Sequence, residues 1–300
     1  MAAGLMHSSF TLSAPAKLNL FLHITGRRTD GYHELQTVFQ LLDFGDTLSF
    51  AARHDSEIHL YGELSGVATE QNLIVRAARL LQQYSGSAHG ADITLQKRLP
   101  MGGGLGGGSS DAATALLGLN HLWRLQLDVE TLAQLGMQLG ADVPVFVRGY
   151  SSWAEGVGEV LTPLSLPEHW FVVLTPSCSV STAEIFNAPE LTRNTAAITI
   201  AAFLRGGSPV ATRNDCQFVV EKAYPAVKNA LTWLATFAPS RMTGTGASVF
   251  AAFPAQAAAA AVLAQKPSDV SGFVAKGVDV SPAHCQLLHL GADYRGIAKR

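Results

Sequence analysis

Gly102, Gly103, Gly104, Gly106, Gly107 and Gly108 fill six of seven consecutive positions, interrupted by Leu105 and followed by Ser109, Ser110 and Asp111. Without Cβ atoms such a chain adopts positive φ and brings successive backbone N–H groups close to a ligand. A helix opening at the serines adds the positive end of its dipole, so loop and helix together make an anion cradle suited to phosphates. A flexible linker has the same composition, but linkers rarely join an amphipathic strand tightly to a helix. Gly102, Gly104 and Gly107 formally match GxGxxG, yet the preceding ADITLQKRL is half polar, unlike the apolar parallel strand of a dinucleotide-binding fold. GxxxxGK[ST], GxSxG and HExxH do not occur, and Asp43-Phe44-Gly45 precedes the loop without an HRD, so it reads as a strand end.

Phosphoryl transfer also needs a group that offsets charge and one that takes a proton. Lys17 and Asn19 stand two residues apart on one face of a strand, about 7 Å along it, so both can reach one ligand. Read alone, Lys17 is an ordinary solvated lysine. Asp142, between Gly140 and Pro144, reads equally as a helix cap. A late turn, Gly244-Thr245-Gly246, is a second candidate phosphate contact or simply a tight turn before a strand.

These residues need elements to hold them. Residues 16–24 alternate, with Ala16, Leu18, Leu20, Leu22 and Ile24 on a buried face and Lys17, Asn19, Phe21 and His23 on the other. Strand-like runs at 35–43, 46–51 and 57–61 precede a helix over 73–84 and a strand over 93–99. Beyond the glycine loop a helix runs to Leu122, and Asp128 caps another that stops near Gly140. The pattern restarts after Pro163: a strand at 170–175, helices around 215–235, a strand at 249–253, an alanine-rich helix at 255–264 and a strand at 272–278. Gly156, Gly158 and the 163–167 region mark the expected boundary.

The 300 residues are 48% hydrophobic and 15% charged, enough for a large core, and the net charge of −2 supplies no broad cationic field for nucleic acid or anionic lipid. Cys178, Cys216 and Cys285 are scattered and odd in number, against a disulfide framework or zinc site. No window approaches the roughly 18 apolar residues of a membrane span and the first twenty residues lack a signal-peptide pattern, so a soluble, cytoplasmic protein is expected.

Three segments in order, PAKLNLFLHITGRRTDGYHEL, PMGGGLGGGSSDAA and MTGTGASVFAAF, resemble the galactokinase, homoserine kinase, mevalonate kinase and phosphomevalonate kinase (GHMP) superfamily of small-molecule kinases. The resemblance runs from about Ala14 to Ser281. TDGYHEL, the expanded GGGLGGGSS loop and GADVPVF resemble the branch that phosphorylates the 2-hydroxyl of 4-diphosphocytidyl-2-C-methyl-D-erythritol on the non-mevalonate isoprenoid route. It implies an α+β fold in two domains, a ribosomal-protein-S5-like half over 1–162 and a ferredoxin-like half over 163–300, with ligands between them. It also implies ATP as phosphoryl donor, Mg²⁺ bridging its phosphates and a cytidine diphospho sugar alcohol as acceptor. Asp142 would be the general base, and Lys17 would orient it and offset phosphoryl charge. Pro100, Met101, the loop from Gly102 to Gly108, Ser109 and Ser110 would hold the ATP phosphates, with Asn72 and Lys97 lining the adenine or ribose pocket. Tyr32 and Phe186 would sandwich the cytosine, His33 would bond the base, Asn19 would contact the substrate, and Gly244, Thr245 and Gly246 would close around phosphates or acceptor. The extra glycine before Ser109 and Ser110 leaves open which serine meets metal or phosphate, and no metal ligand is assigned. A kinase for another small alcohol and a non-catalytic ligand sensor are the alternatives; no nucleic-acid or membrane partner is expected, and the chain is expected to be a monomer or weak homodimer.

Overall fold

The computed structural model describes residues 9–62, 66–205 and 212–298; the start of the segment read for a leader lies outside them. Two long strands, β1 (Phe10–Arg27) and β2 (His33–Arg53), form an antiparallel pair and frame the rest. After them come β3 (Ile58–Tyr61), α1 (Leu73–Ser85), β4 (Gly90–Gln96), α2 (Gly107–Leu122), α3 (Val129–Met137), α4 (Val143–Arg148), β5 (Ser152–Glu155) and β6 (Val160–Pro163). The remainder comprises β7 (Trp170–Pro176), α5 (Thr182–Asn187), α6 (Ile200–Leu204), α7 (Gln217–Ala223), α8 (Pro225–Ala235), β8 (Ser240–Met242), β9 (Val249–Phe253), α9 (Gln256–Leu263), β10 (Val270–Val278) and α10 (Pro282–His289).

The sheet runs β3-β4-β2-β10-β7-β9-β8, with β1 and β5 also on β2 and β6 on β5; β3 and β4 are parallel and the other pairs antiparallel. The two halves meet where Gly277 and Val278 pair with Leu42 and Leu41. One core gathers β2, β4 and α1–α4; a second gathers β7, β9 and α7–α9. The chain's last segment returns to the first core through Leu287, Tyr294 and Ile297.

Two expectations change. The runs at 35–43 and 46–51 are one strand, and Asp43-Phe44-Gly45 lies inside it: a Cβ on Gly45 would come within 1.9 Å of the Ala14 carbonyl oxygen, so glycine there lets β1 cross closely. The alternation over 16–24 does not give one solvated face. Lys17, Asn19, Phe21 and His23 are all buried, because Phe21 packs on Trp153 and Phe203 while Leu22 exchanges backbone hydrogen bonds with Arg213 and Asp215 of the second half. Gly156 and Gly158 form the β5–β6 turn with positive φ.

Candidate active site

The glycine loop leaves β4, and α2 begins at Gly107, two residues before the expected serines. Gly102, Gly104 and Gly106 have φ of 66°, 72° and 72°, and Gly106 is the N-cap. A Cβ on Gly104 would lie 2.4 Å from the Thr243 carbonyl oxygen, and one on Gly106 would lie 2.8 Å from the Phe146 ring, so close approach forbids side chains at both. Leu105 is the loop's anchor: its side chain is buried with Leu18, Leu99 and Phe250, and its carbonyl accepts from Lys17 N at 3.0 Å. Ser109 borders the cleft, whereas Ser110 is fully buried and its hydroxyl has no partner. That separates two serines which the sequence treats alike.

Beside the loop opens a cleft of about 350 Å³ lined by Asn72, Leu73, Lys97, Pro100, Met101 and the loop through Ser109. Asn72 caps α1, its Oδ1 accepting from Ile74 N at 2.9 Å. Lys97 is clamped by Asp46 at 2.5 Å and Asp111 at 2.9 Å, and Asp46 also accepts from Arg98 N and Leu99 N. Burial works against the Lys97 charge, but the two carboxylates hold its ammonium above the ordinary range. Burial, opposed by Lys97 and reinforced by Asp46, pushes Asp111 up to about 7. Asp46 and Asp111 escape sequence reasoning, since Asp46 lies mid-strand and Asp111 reads as first-turn charge.

Lys17 and Asn19 lie on β1 between two register shifts, Pro15/Lys17 and Asn19/Leu22, that break the ladder around them. The Lys17 ammonium donates to Asn19 Oδ1 at 2.6 Å and lies 3.4 Å from Asp142 Oδ2. The Lys17 side chain is 4% exposed and that of Asp142 36%, so the pair runs from the interior towards the surface. Asp142 holds the N-cap position of α4 but makes no side-chain cap; its carboxylate is aimed at Lys17 instead. Asp128, by contrast, is a true cap, accepting from Thr131 N at 2.8 Å.

The late turn closes on the same place. Asn19 N donates to Thr243 Oγ1 at 2.9 Å, and Thr243 Oγ1 reaches the Gly104 carbonyl at 3.3 Å. Gly244 and Gly246 have positive φ, and Thr245 pairs with Thr182 at 2.8 Å. Asn214 pins the turn, its Nδ2 donating to the carbonyls of Met242 and Gly244 at 2.8 Å each. Thr243 lies in the MTGTGASVFAAF segment with no role legible there, and Asn214 carries no sequence signal, because each acts through the backbone of another segment of the chain.

The aromatic group is built differently. Tyr32 sits at the tip of the β1–β2 hairpin and is 64% exposed. His33 opens β2 and stacks on Phe186 of α5, with ring centroids 5.0 Å apart and planes at 25°. The expected open face of Phe186 is thus shared with His33. Arg193 donates from Nε to His33 Nε2 at 3.1 Å; burial, then Arg193 and Arg27, hold the imidazole below its ordinary pKa. Among the described residues no three His, Cys, Asp or Glu side chains gather as a metal cage, and no helix is long and apolar enough to cross a membrane.

Residues 72–150 match the family model "GHMP kinases N terminal domain" and residues 200–267 the model "GHMP kinases C terminal". The chain is 59% identical over 276 residues to a 4-diphosphocytidyl-2-C-methyl-D-erythritol kinase of Pseudomonas syringae pv. syringae (strain B728a), covering 92% of this chain and 96% of that relative. It is 58% identical over 282 residues to the Pseudomonas aeruginosa (strain UCBPP-PA14) protein of the same name, covering 94% and 99%. A crystal structure of a 4-(cytidine 5'-diphospho)-2C-methyl-D-erythritol kinase superposes with a TM-score of 0.79 at 33% identity, covering 90% of this chain and all of that one. The mevalonate kinase of Methanococcus jannaschii, at 14% identity and a TM-score of 0.65 over 92% of this chain and 100% of that one, shares the fold. The two-domain α+β architecture is therefore that of the GHMP kinases, and the chain belongs to their 4-diphosphocytidyl-2-C-methyl-D-erythritol kinase family.

Proposed function

We propose that the chain transfers the terminal phosphoryl group of ATP to the 2-hydroxyl of 4-diphosphocytidyl-2-C-methyl-D-erythritol, with Asp142 as general base. As a member of its family it is a kinase of a small-molecule acceptor that uses ATP. The observation that carries the residue-level reading is the Lys17–Asp142 pair at the edge of the glycine cradle. A cradle alone binds anions; a carboxylate beside it, held by a buried cation, can also take a proton.

The parts divide the work. N–H groups of the loop and the first turn of α2, together with the helix dipole, would hold the phosphates. Asp142, whose carboxylate is still partly exposed, would accept the acceptor hydroxyl's proton as the oxygen attacks phosphorus. Lys17 would orient that carboxylate and offset charge on the transferring group. Lys97 is committed to Asp46 and Asp111, so its contribution to the nucleotide pocket is a charge fixed beneath the loop rather than a mobile contact. Tyr32, His33 and Phe186 would receive the cytosine.

A Mg²⁺ ion fits the donors present: oxygen ligands suit a hard cation, Ser109 offers a hydroxyl at the cleft, and Asp111 Oδ1, buried without a partner, stands two residues further along α2. Bound there with the nucleotide, the ion would neutralise phosphate charge. The reading is tested by ADP release with this acceptor, homoserine and mevalonate. Turnover confined to the cytidine compound supports it; equal turnover of a smaller alcohol, or binding of ATP and acceptor with no ADP formed, contradicts it.

A further inference from the structure

A neutral imidazole has one ring nitrogen that donates and one that accepts, and its partners decide which is which. Arg193 can only donate, because a guanidinium has no acceptor. Its Nε lies 3.1 Å from His33 Nε2, so Nε2 is the acceptor and the ring proton sits on Nδ1. The guanidinium is itself fixed: it donates to the carbonyls of Leu191 at 3.1 Å, Phe186 at 2.9 Å and Ala188 at 2.7 Å. Those bonds aim Nε–H at the ring and hold the segment carrying Phe186. Burial, Arg193 and Arg27 all disfavour a second proton on His33, so the ring stays neutral.

We propose, resting on the kinase reading above, that Arg193 is a positioning residue for base recognition: it locks His33 as the Nδ1–H tautomer, whose donor pairs with the unprotonated N3 of cytosine and rejects uracil. In uracil N3 carries a hydrogen, so two N–H groups would meet head to head. The ring geometry agrees with this pairing. A base bonded edge to edge with the imidazole lies in its plane, and that plane is within 25° of the Phe186 ring, so hydrogen bonding and stacking are satisfied together. Tyr32, next in the chain and at the hairpin tip, is free to cover the other face. A site built to hydrogen-bond one edge discriminates strongly against the analogue that leaves the bond unmade.

The test combines NMR with steady-state kinetics. Long-range ¹H–¹⁵N correlations of the ligand-free protein, with the His33 signals assigned by their loss in His33→Gln, should show a neutral ring protonated on Nδ1. The wild type should prefer the cytidine substrate over its uridine counterpart by about tenfold or more in kcat/KM. In Arg193→Met that preference should fall about tenfold, through KM for the cytidine compound, with KM for ATP unchanged. Arg193→Lys, which can still donate to Nε2, should recover part of it. His33 protonated on Nε2 in the wild type would overturn the proposal without recourse to any variant. So would an Arg193→Met enzyme that loses activity equally on both compounds, as a merely structural arginine would give. If the wild type phosphorylates neither compound, the kinase reading fails and the recognition step fails with it, while the tautomer measurement stands on its own.

Discussion

The phosphate end and the base end of the cleft are made by opposite means. At the phosphate end the working groups are backbone or buried side chains: Lys17 is 3% exposed, Thr243 is fully buried, and Asn19 and Gly104 are each tied to Thr243, more than a hundred residues further along the chain. At the base end the groups are side chains that grade outward, from the buried His33 to Tyr32, 64% exposed on a hairpin tip. The difference follows from the chemistry each end must do. Charge developing in a transition state is stabilised by dipoles and ions fixed beforehand, since reorganising them during the reaction would cost part of the gain. A flat, neutral base can instead be received by aromatic side chains that settle on it as it enters.

That contrast can be broken at either end. The largest effect is expected from Lys17→Met, which keeps the stem but removes the buried charge: kcat should fall about 10²- to 10³-fold while calorimetric affinity for the acceptor changes only a few-fold. A smaller loss would mean that the Asp142 carboxylate needs no cationic partner. The fixed end should also be sensitive to acid through His284, fully buried and bonded to the Val147 carbonyl at the end of α4 and to the backbone N–H of Ala298. Burial lowers its pKa from 6.5 to about 4. A depressed folded value means stability present above pH 6.5 is lost as pH falls towards 4, by about 3 kcal/mol at most. Denaturant unfolding at pH 7 and pH 4 should show that loss in the wild type and a flatter acid limb in His284→Gln.

Gly106→Val probes the cradle itself. Its φ of 72° and the Phe146 ring 2.8 Å from the added Cβ both oppose it, so KM for ATP should rise some tens-fold with far less effect on acceptor binding, measured by calorimetry. Equal weakening of both ligands would make the loop a shared scaffold. Tyr32→Ala should have the smallest effect: one stacked partner is worth roughly 1–3 kcal/mol, and an exposed ring lies near the lower end, so KM for the cytidine compound should rise about five- to tenfold with ATP affinity and melting temperature unchanged. A drop in melting temperature would show that Tyr32 is not the open contact its exposure indicates.

What could be read from the chain alone was local. Glycine density, the strand-loop-helix order and the Asp128 cap are short-range patterns, and each is present in the fold. Non-local contacts were out of reach. Lys17 and its face of β1 alternate like a solvated strand, and only the arrival of Trp153, Arg213 and Asp215 from elsewhere in the chain buries that face. Gly45 reads as a break until the crossing Ala14 carbonyl supplies the reason for a glycine inside a continuous strand. Asp142 has the sequence setting of a cap, and its direction towards Lys17 depends on β1 lying beside α4. Arg193, between Thr192 and Asn194 with no motif of its own, becomes legible only through the four acceptors around it.

The most direct measurement is the turnover of Asp142→Asn alongside its affinity for both ligands. Asparagine keeps the shape and polarity of the side chain but cannot take a proton at working pH. If Asp142 is the base that Lys17 orients, kcat should drop about 10²- to 10⁴-fold while ATP and the cytidine substrate bind within a few-fold of the wild type. Turnover within a few-fold of the wild type would contradict the account, and the ion pair would then be a structural clamp between β1 and α4.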